Sequence, residues 1–300
     1  MSHNLPLHLP VLEEEVIRAF KEQPRSQKYF LDGTFGRGGH TRALLKNFPG
    51  ARVCAFDKDD EAIAYAKSEF AQEILENRLQ IIRGDFRSLS DHKLGPFDGA
   101  LFDLGVSSPQ FDQASRGFSF SLDGPLDMRM DRSQPTTAAD IVNTYSQESL
   151  SDMFFNWGEV RHPNRVVRAI VHDRSERPFR TTRELASLIE RVERASGTKK
   201  KIHLATPYFM ALRIAVNQEL ENLADFFETL PAQIQEGGRV VVISFHSLED
   251  RLVKWTFRKL DKVKGVMIKK KVVVATDEEV KSNPRARSAK LRIFQIGGLT

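Results

Sequence analysis

Pro96-Phe97-Asp98-Gly99-Ala100-Leu101-Phe102, followed by Asp103-Leu104-Gly105-Val106-Ser107-Ser108-Pro109-Gln110, is the stretch on which the fold turns. Its first half is a short apolar run between turn residues and reads as a buried strand. Its second half puts a carboxylate, two hydroxyls, a rigid proline and an amide at that strand's carboxyl end. Open α/β sheets bind their ligands at this edge.

Further apolar runs of the same kind flank it: Tyr29–Leu31, Ala51–Phe56, Arg78–Ile82 and Arg239–Phe245. Near-continuous apolar strands suit a parallel sheet covered on both faces. Helical segments lie between them. Asp59 or Asp60 can cap a helix that carries Ile63, Ala66 and Phe70 on one face. Apolar residues spaced by three or four from Phe209 to Leu230 predict one long helix over Tyr208–Leu230. Ser247–Leu260 reads as another, with Ser247 as its cap. Val266–Ala275 and Ala289–Ile296 form a candidate final strand pair. Alternating strand and helix implies a doubly wound α/β fold.

The alternation fails between Ser108 and Pro207. Gln110–Pro135 is a long segment rich in Gly, Asp, Ser and Phe, and loops of that length are uncommon without a function. Helical stretches over Ala138–Trp157, Val160–Arg174 and Thr182–Ala195 follow. The expected organisation is therefore discontinuous: 1–107 with 208–300, interrupted by a mainly helical insert over 108–207.

Composition bounds the function. A chain of 300 residues, 40% hydrophobic and 28% charged, can bury a sizeable core. No apolar run approaches the ~20 residues that cross a bilayer, and no leader pattern is evident, so the expected location is cytoplasmic. The single cysteine, Cys54, lies in an apolar run and reads as a buried thiol. A net charge of +5 is a modest pointer to a polyanionic partner. No His/Cys/Glu cluster has metal-ligand spacing, and no nucleophile elbow is present.

Three successive strand ends carry cofactor chemistry. Asp32-Gly33-Thr34-Phe35-Gly36-Arg37-Gly38-Gly39-His40 is a glycine turn leading into a helix. A dinucleotide fingerprint starting at Gly36 would need glycine where Thr41 stands. The second strand ends at Asp57, which can accept both ribose hydroxyls. The third ends Gly84-Asp85-Phe86, suited to an adenine, although Phe86 can equally be plain core. This set fits S-adenosylmethionine better than NAD: its methionine end on the glycine turn, its ribose on Asp57, its methyl directed at Asp103.

Asp103–Pro109 loosely resembles the acidic-X-X-Pro loops of amino methyltransferases. An exocyclic base amine is a poor nucleophile because its lone pair is delocalised into the ring. A carboxylate that accepts its hydrogens localises that pair, and displacement then needs mainly positioning. Asp103 can instead bind the cofactor's amino group, and Ser107 and Ser108 can simply cap the turn. His246, after the fifth strand, is a further candidate at the same sheet edge.

Taken together, Asp32–His40, Asp103–Gln110, Arg116–Phe120, Asp123–Asp131, Ile243–Arg251 and Asn283–Ser288 resemble the bacterial 16S ribosomal RNA cytosine-N4 methyltransferase family, over a range from His8 to the C-terminus. The resemblance implies a Rossmann-like class I S-adenosylmethionine-dependent methyltransferase with an inserted helical subdomain for substrate recognition. The implied substrate is a P-site cytidine of the decoding centre, within 16S rRNA of the small ribosomal subunit. A homodimer is compatible with it. Carried over by position, Gly38, Gly39, His40, Asp57, Phe86, Asp103 and Gln110 would bind cofactor, and Gly36 joins them from the glycine turn; His40 and Gln110 rest mainly on the resemblance. Asp103, Ser107, Ser108, Pro109 and His246 are the candidate catalytic residues.

Candidate RNA contacts are more dispersed. Arg161, Arg165, Arg168 and His172 are spaced to share one helix face, with Lys199–Lys201 nearby in sequence. Arg285, Arg287 and Lys290 form another cluster. Phe118 and Phe120 can stack on an extruded base or pack against the core. Arg129 can meet phosphate or base, or pair with Asp127 or Asp131.

Overall fold

The structure is a computed structural model describing residues 9–24, 26, 28–195, 197 and 202–298. It has two compact units: Met1–Gly105 with Leu220–Thr300, and Val106–Glu219.

The first unit is built on an eight-stranded sheet. Its strands are β1 (Tyr29–Asp32), β2 (Arg52–Asp57), β3 (Leu79–Arg83), β4 (Phe97–Asp103), β5 (Ile234–Ser244), β6 (Gly265–Met267), β7 (Val273–Val274) and β8 (Lys290–Ile296). The order is β3-β2-β1-β4-β5-β8-β6, with β7 also on β8. β1 to β5 run parallel, and β8 is antiparallel to β5, β6 and β7. The sheet is covered on both faces, as the apolar runs predict. Phe30, Leu101, Val241 and Ile243 join one apolar cluster, while Leu31, Ala100, Val240 and Val242 join another. Neighbours along a strand thus go to opposite faces, the two-residue period of a pleated strand. Cys54 is fully buried in β2. Because β1 to β5 are parallel, Asp32, Asp57 and Asp103 share the sheet's carboxyl edge.

The second unit is helical: Ala138–Thr144, Gln147–Asn156, Asn164–Glu176, Thr182–Ala195 and Thr206–Asn217. Leu150, Phe154, Val167, Ile170, Leu185 and Ile189 form much of its core. The long segment before them is held by its own contacts. Leu126 N donates to Arg180 O at 2.9 Å, and Pro125 bridges Thr181.

Four expectations need correction. The helix predicted over Tyr208–Leu230 is two, Thr206–Asn217 and Leu223–Thr229. Gln218 and Asn222 adopt left-handed backbone at φ 50° and 55°, which ends one helix and opens the next. The apolar spacing survives because both pieces bury the same kind of face. Ala138–Trp157 is also two helices, since the Ser146 hydroxyl accepts from Ser149 N and caps a new start. The helix expected from Val160 begins at Asn164, after Pro163, so Arg161 precedes it. Val266–Ala275 is not one strand but two short ones, β6 and β7, each pairing with β8.

Candidate active site

The glycine turn after β1 is shaped by backbone that side chains would obstruct. Gly36 and Gly38 have φ of 55° and 68°. A Cβ on Gly38 would lie 2.5 Å from the Phe70 ring, so only glycine fits there. Asp57 at the end of β2 reaches back to this turn. Its two oxygens accept from Gly36 N at 2.7 Å and Asp59 N at 2.9 Å. Asp59, not Asp57, caps the helix Asp60–Glu69. Burial pushes the Asp57 carboxyl up to about 6, despite those two backbone donors.

Asp32, His40 and Asp103 form the centre of the site. Asp32 is buried and accepts from Thr41 Oγ1 at 2.6 Å and Thr34 N at 3.1 Å. Asp103 N donates to Thr34 Oγ1 at 2.6 Å, which ties the end of β4 to the turn after β1. His40 Nε2 lies 3.6 Å from Asp103 Oδ2, close enough to feel its charge but long for a hydrogen bond. Burial alone works against a charged His40. The attraction of Asp103, then of Asp32 and Glu13, outweighs it and raises the imidazole above its ordinary value. Thr34 was missed in the sequence because a threonine after a strand carries no distinguishing signal; only the register of β1 on β4 reveals its role.

Among the described residues, His40 Nδ1 and Nε2 and Asp103 Oδ1 are buried side-chain atoms with no hydrogen-bond partner. Buried polar atoms are rarely left this way without a function. With the glycine turn and the Asp57 carboxylate they form a polar, anionic strand-end cradle, which suits a cationic sulfonium bearing ribose hydroxyls and an amino group. Of the expected cofactor residues, Gly36, Gly38, Gly39, His40, Asp57 and Asp103 come together around this cradle.

Phe86 lies beyond β3, half-buried, with its ring 5.1 Å from Phe102 and 4.9 Å from Phe226. Asp85 is already engaged: it accepts from Arg87 N, Nε and Nη2, and Lys58 Nζ is 3.7 Å away. His246 is the cap of the helix Ser247–Leu260, in place of the expected Ser247. Its Nδ1 accepts from Glu249 N at 3.4 Å, and its Nε2 is 3.0 Å from Glu249 Oε1. Glu249 Oε2 in turn accepts from Phe245 N, so His246 is built into the helix start. It follows β5 just past Ile243, the strand partner of Asp103.

Ser107 and Gln110 fall in the second unit. Gln110 is buried, and its Oε1 accepts from Ser107 N at 2.9 Å, closing the turn. Ser108 and Pro109 open the short helix Ser108–Asp112; their side chains lie outside the described residues.

Two expected RNA contacts are internal instead. Phe118 is 5% exposed and belongs to the core of the second unit, so its ring is not presented to a base. Arg129 forms a two-bonded pair with Asp127 at 2.8 and 2.9 Å, and its remaining nitrogen donates to the carbonyls of Arg132 and Gln134. The salt bridge wins because the carboxylate sits two residues away and the loop supplies the other acceptors. Phe120 is half-buried on His203 and Phe209. Arg161, Arg165 and Arg168 are exposed; Arg165, Arg168 and His172 share the helix Asn164–Glu176. Arg287 is exposed and Arg285 half-buried in the turn Pro284–Ser288 of the first unit. Lys199–Lys201 lie outside the described residues.

A parallel sheet ordered β3-β2-β1-β4-β5 with an antiparallel β8, a glycine turn after β1 and acids after β2 and β4 define a Rossmann-like, S-adenosylmethionine-dependent class I methyltransferase. Comparison with known proteins places it more narrowly. The model of the MraW methylase family matches residues 6–297, and the chain belongs to that family. "Ribosomal RNA small subunit methyltransferase H" of Bdellovibrio bacteriovorus is 50% identical over 291 residues, covering 97% of this chain and 88% of its own. Proteins of the same name from Crocosphaera subtropica and a Cyanothece species are 46% and 47% identical over 289 residues. Each alignment covers 96% of this chain, and 89% and 94% of the relatives. The resemblance read from the sequence motifs therefore holds.

Proposed function

We propose that this enzyme methylates the N4 exocyclic amine of a P-site cytidine in the decoding centre of 16S rRNA, acting on the small ribosomal subunit in the cytoplasm. The relatives named for methylation of small-subunit RNA support the substrate class. Among the described residues no helix is long and apolar enough to cross a membrane. The observation that carries the amine reading is Asp103: a carboxylate at the end of β4 whose Oδ1 is buried without a partner.

The cofactor, when bound, supplies an electrophilic methyl group. The protein's task is to hold a weak nucleophile in line with it. Asp103 Oδ1 accepts a hydrogen of the exocyclic amine, which localises the nitrogen lone pair. Asp103 is itself held by Thr34 through its backbone and by the charge of His40. Gln110, expected at the cofactor, closes the turn that carries Ser107, Ser108 and Pro109. Arg161, Arg165 and Arg168 from the second unit, with Arg285 and Arg287 from the first, supply phosphate contacts. Phe120 offers the remaining aromatic surface of the long segment.

Nucleoside mass spectrometry tests the proposal. Small subunits from cells lacking this enzyme are incubated with it and S-adenosylmethionine, then digested. New N4-methylated cytidine mapping to one decoding-centre position is the expected result. Methylation of duplex DNA, or of a different RNA atom, would overturn it.

A further inference from the structure

The helix Ser247–Leu260 buries Glu249, Val253, Thr256, Phe257 and Leu260 against the sheet of the first unit. Its outer face carries an aromatic residue. Trp255 is 59% exposed. Its ring is flanked by cations, with the Arg258 guanidinium 5.1 Å and the Lys254 ammonium 5.9 Å from the ring centroid. The chain beyond continues this charge. Between Lys254 and Lys271 the sole acidic residue is Asp261, and its carboxylate accepts from Met267 N. Lys262, Lys264 and the run Lys269–Lys271 are all exposed. Lys259 of the helix's last turn pairs with Glu228.

The exposed indole offers a flat apolar face that a ligand can cover. Here the surroundings are cationic, so the fitting cover is an anion that also presents flat apolar faces. Single-stranded RNA does both: its bases stack on aromatic rings in a sequence-tolerant way, and its phosphates meet Lys and Arg. An acidic protein surface would satisfy the cations but not the ring. A lipid surface would call for an apolar face, whereas the residues flanking the Trp255 ring are cations.

We infer that Trp255, with Arg258 and Lys262, is a second RNA platform on the first unit, stacking an unpaired base of the substrate RNA away from the methyl-transfer centre. The inference rests on the RNA reading given above. It goes beyond that reading by adding a base-stacking surface to the phosphate contacts of Arg161–Arg168, Arg285 and Arg287.

The chain has two tryptophans, so Trp157→Phe leaves Trp255 as the single indole reporter. Titrating that protein with protein-free small-subunit RNA, and with a short mixed-sequence single strand, should quench its fluorescence in a saturable, salt-reversible way. Trp255→Ala should weaken the Kd for both RNAs by about tenfold, as expected for one lost base stack. Arg258→Gln with Lys262→Gln should lower the slope of log Kd against log salt by about 0.7 per charge on the single strand. All three positions are solvent-facing, so thermal melting and cofactor affinity should stay at wild-type values. Bound RNA with unchanged Trp255 fluorescence and unchanged Kd in Trp255→Ala would overturn the platform and leave the methyltransferase reading standing. Sensitivity to Trp255→Ala only on protein-containing subunits, never on stripped RNA, would also overturn it and assign the patch to a ribosomal protein. Failure of the wild-type protein to bind any small-subunit RNA would overturn both readings.

Discussion

The strand-end set of the first unit and the long loop of the second are both rich in buried charge, yet they dispose of it in opposite ways. In the loop, Arg116 is 1% exposed and donates to the carbonyls of Arg129 and Met130. Arg129 spends its donors on Asp127 and on two more carbonyls. Asn217 reaches in from a helix to accept from Met130 N and donate to Met128 O. These groups exist to satisfy backbone that has no secondary structure of its own. At the strand ends, by contrast, His40 and Asp103 keep buried atoms without partners. The difference sets the candidate site apart: the loop's bonds close on its own backbone, whereas the open atoms of His40 and Asp103 lie together where the turn after β1 meets the end of β4.

The largest test of that distinction is Asp103→Ala. Turnover should fall by about 10²–10⁴-fold in a methyl-transfer assay, the usual weight of one positioned proton acceptor. Retained cofactor binding in calorimetry would assign Asp103 to the amine, and lost binding would assign it to the cofactor. Normal turnover would break the comparison. Next is Asn217→Ala, which strands the Met130 amide and the Met128 carbonyl. It should cost about 2–3 kcal/mol in urea unfolding and leave cofactor affinity unchanged. An unchanged unfolding midpoint would show that the loop does not depend on its internal bonds.

A smaller effect comes from pH. The Asp57 carboxyl is pushed up to about 6 by burial. The folded protein therefore binds more protons than the unfolded chain between the ordinary aspartate range and about pH 6, and its stability falls as pH rises through that window. Ribose hydroxyls that donate to Asp57 favour its charged form. Cofactor affinity should then be flat above pH 6 and weaken by up to about tenfold per unit below it, and Asp57→Asn should flatten the profile in a calorimetric titration. A flat profile in the wild type would remove Asp57 from the ribose. The smallest effect expected is that of Arg165→Gln. As an exposed side chain, it should change stability by less than about 0.5 kcal/mol and reduce the salt slope of RNA binding by about one.

The sheet was legible because five parallel strands buried on both faces leave near-continuous apolar runs, as in Val240–Ile243. The strand-end acids were legible for the same reason: once the strands are placed, Asp32, Asp57 and Asp103 have one edge to occupy. Left-handed Gln218 and Asn222 were not, because their helices keep apolar residues in phase on either side of the break. His246 displaced Ser247 as cap because an imidazole acceptor one residue earlier reaches Glu249 N, a choice that residue preferences do not encode. Phe118 and Arg129 looked like RNA contacts because a polar loop hides its own interior; their partners come from residues that only the folded loop brings near.

One consequence concerns synthesis. β4 is buried along nearly its whole length, with β1 on one side and β5 on the other. β5 begins at Ile234, after the entire second unit. At about 5–20 residues per second, a nascent chain holds β4 as an open edge for roughly ten seconds before its partner emerges. Unpaired, apolar edges of this kind template contacts with other chains. The same interruption that makes room for the second unit leaves a chain that ends near Glu219 with an open apolar edge.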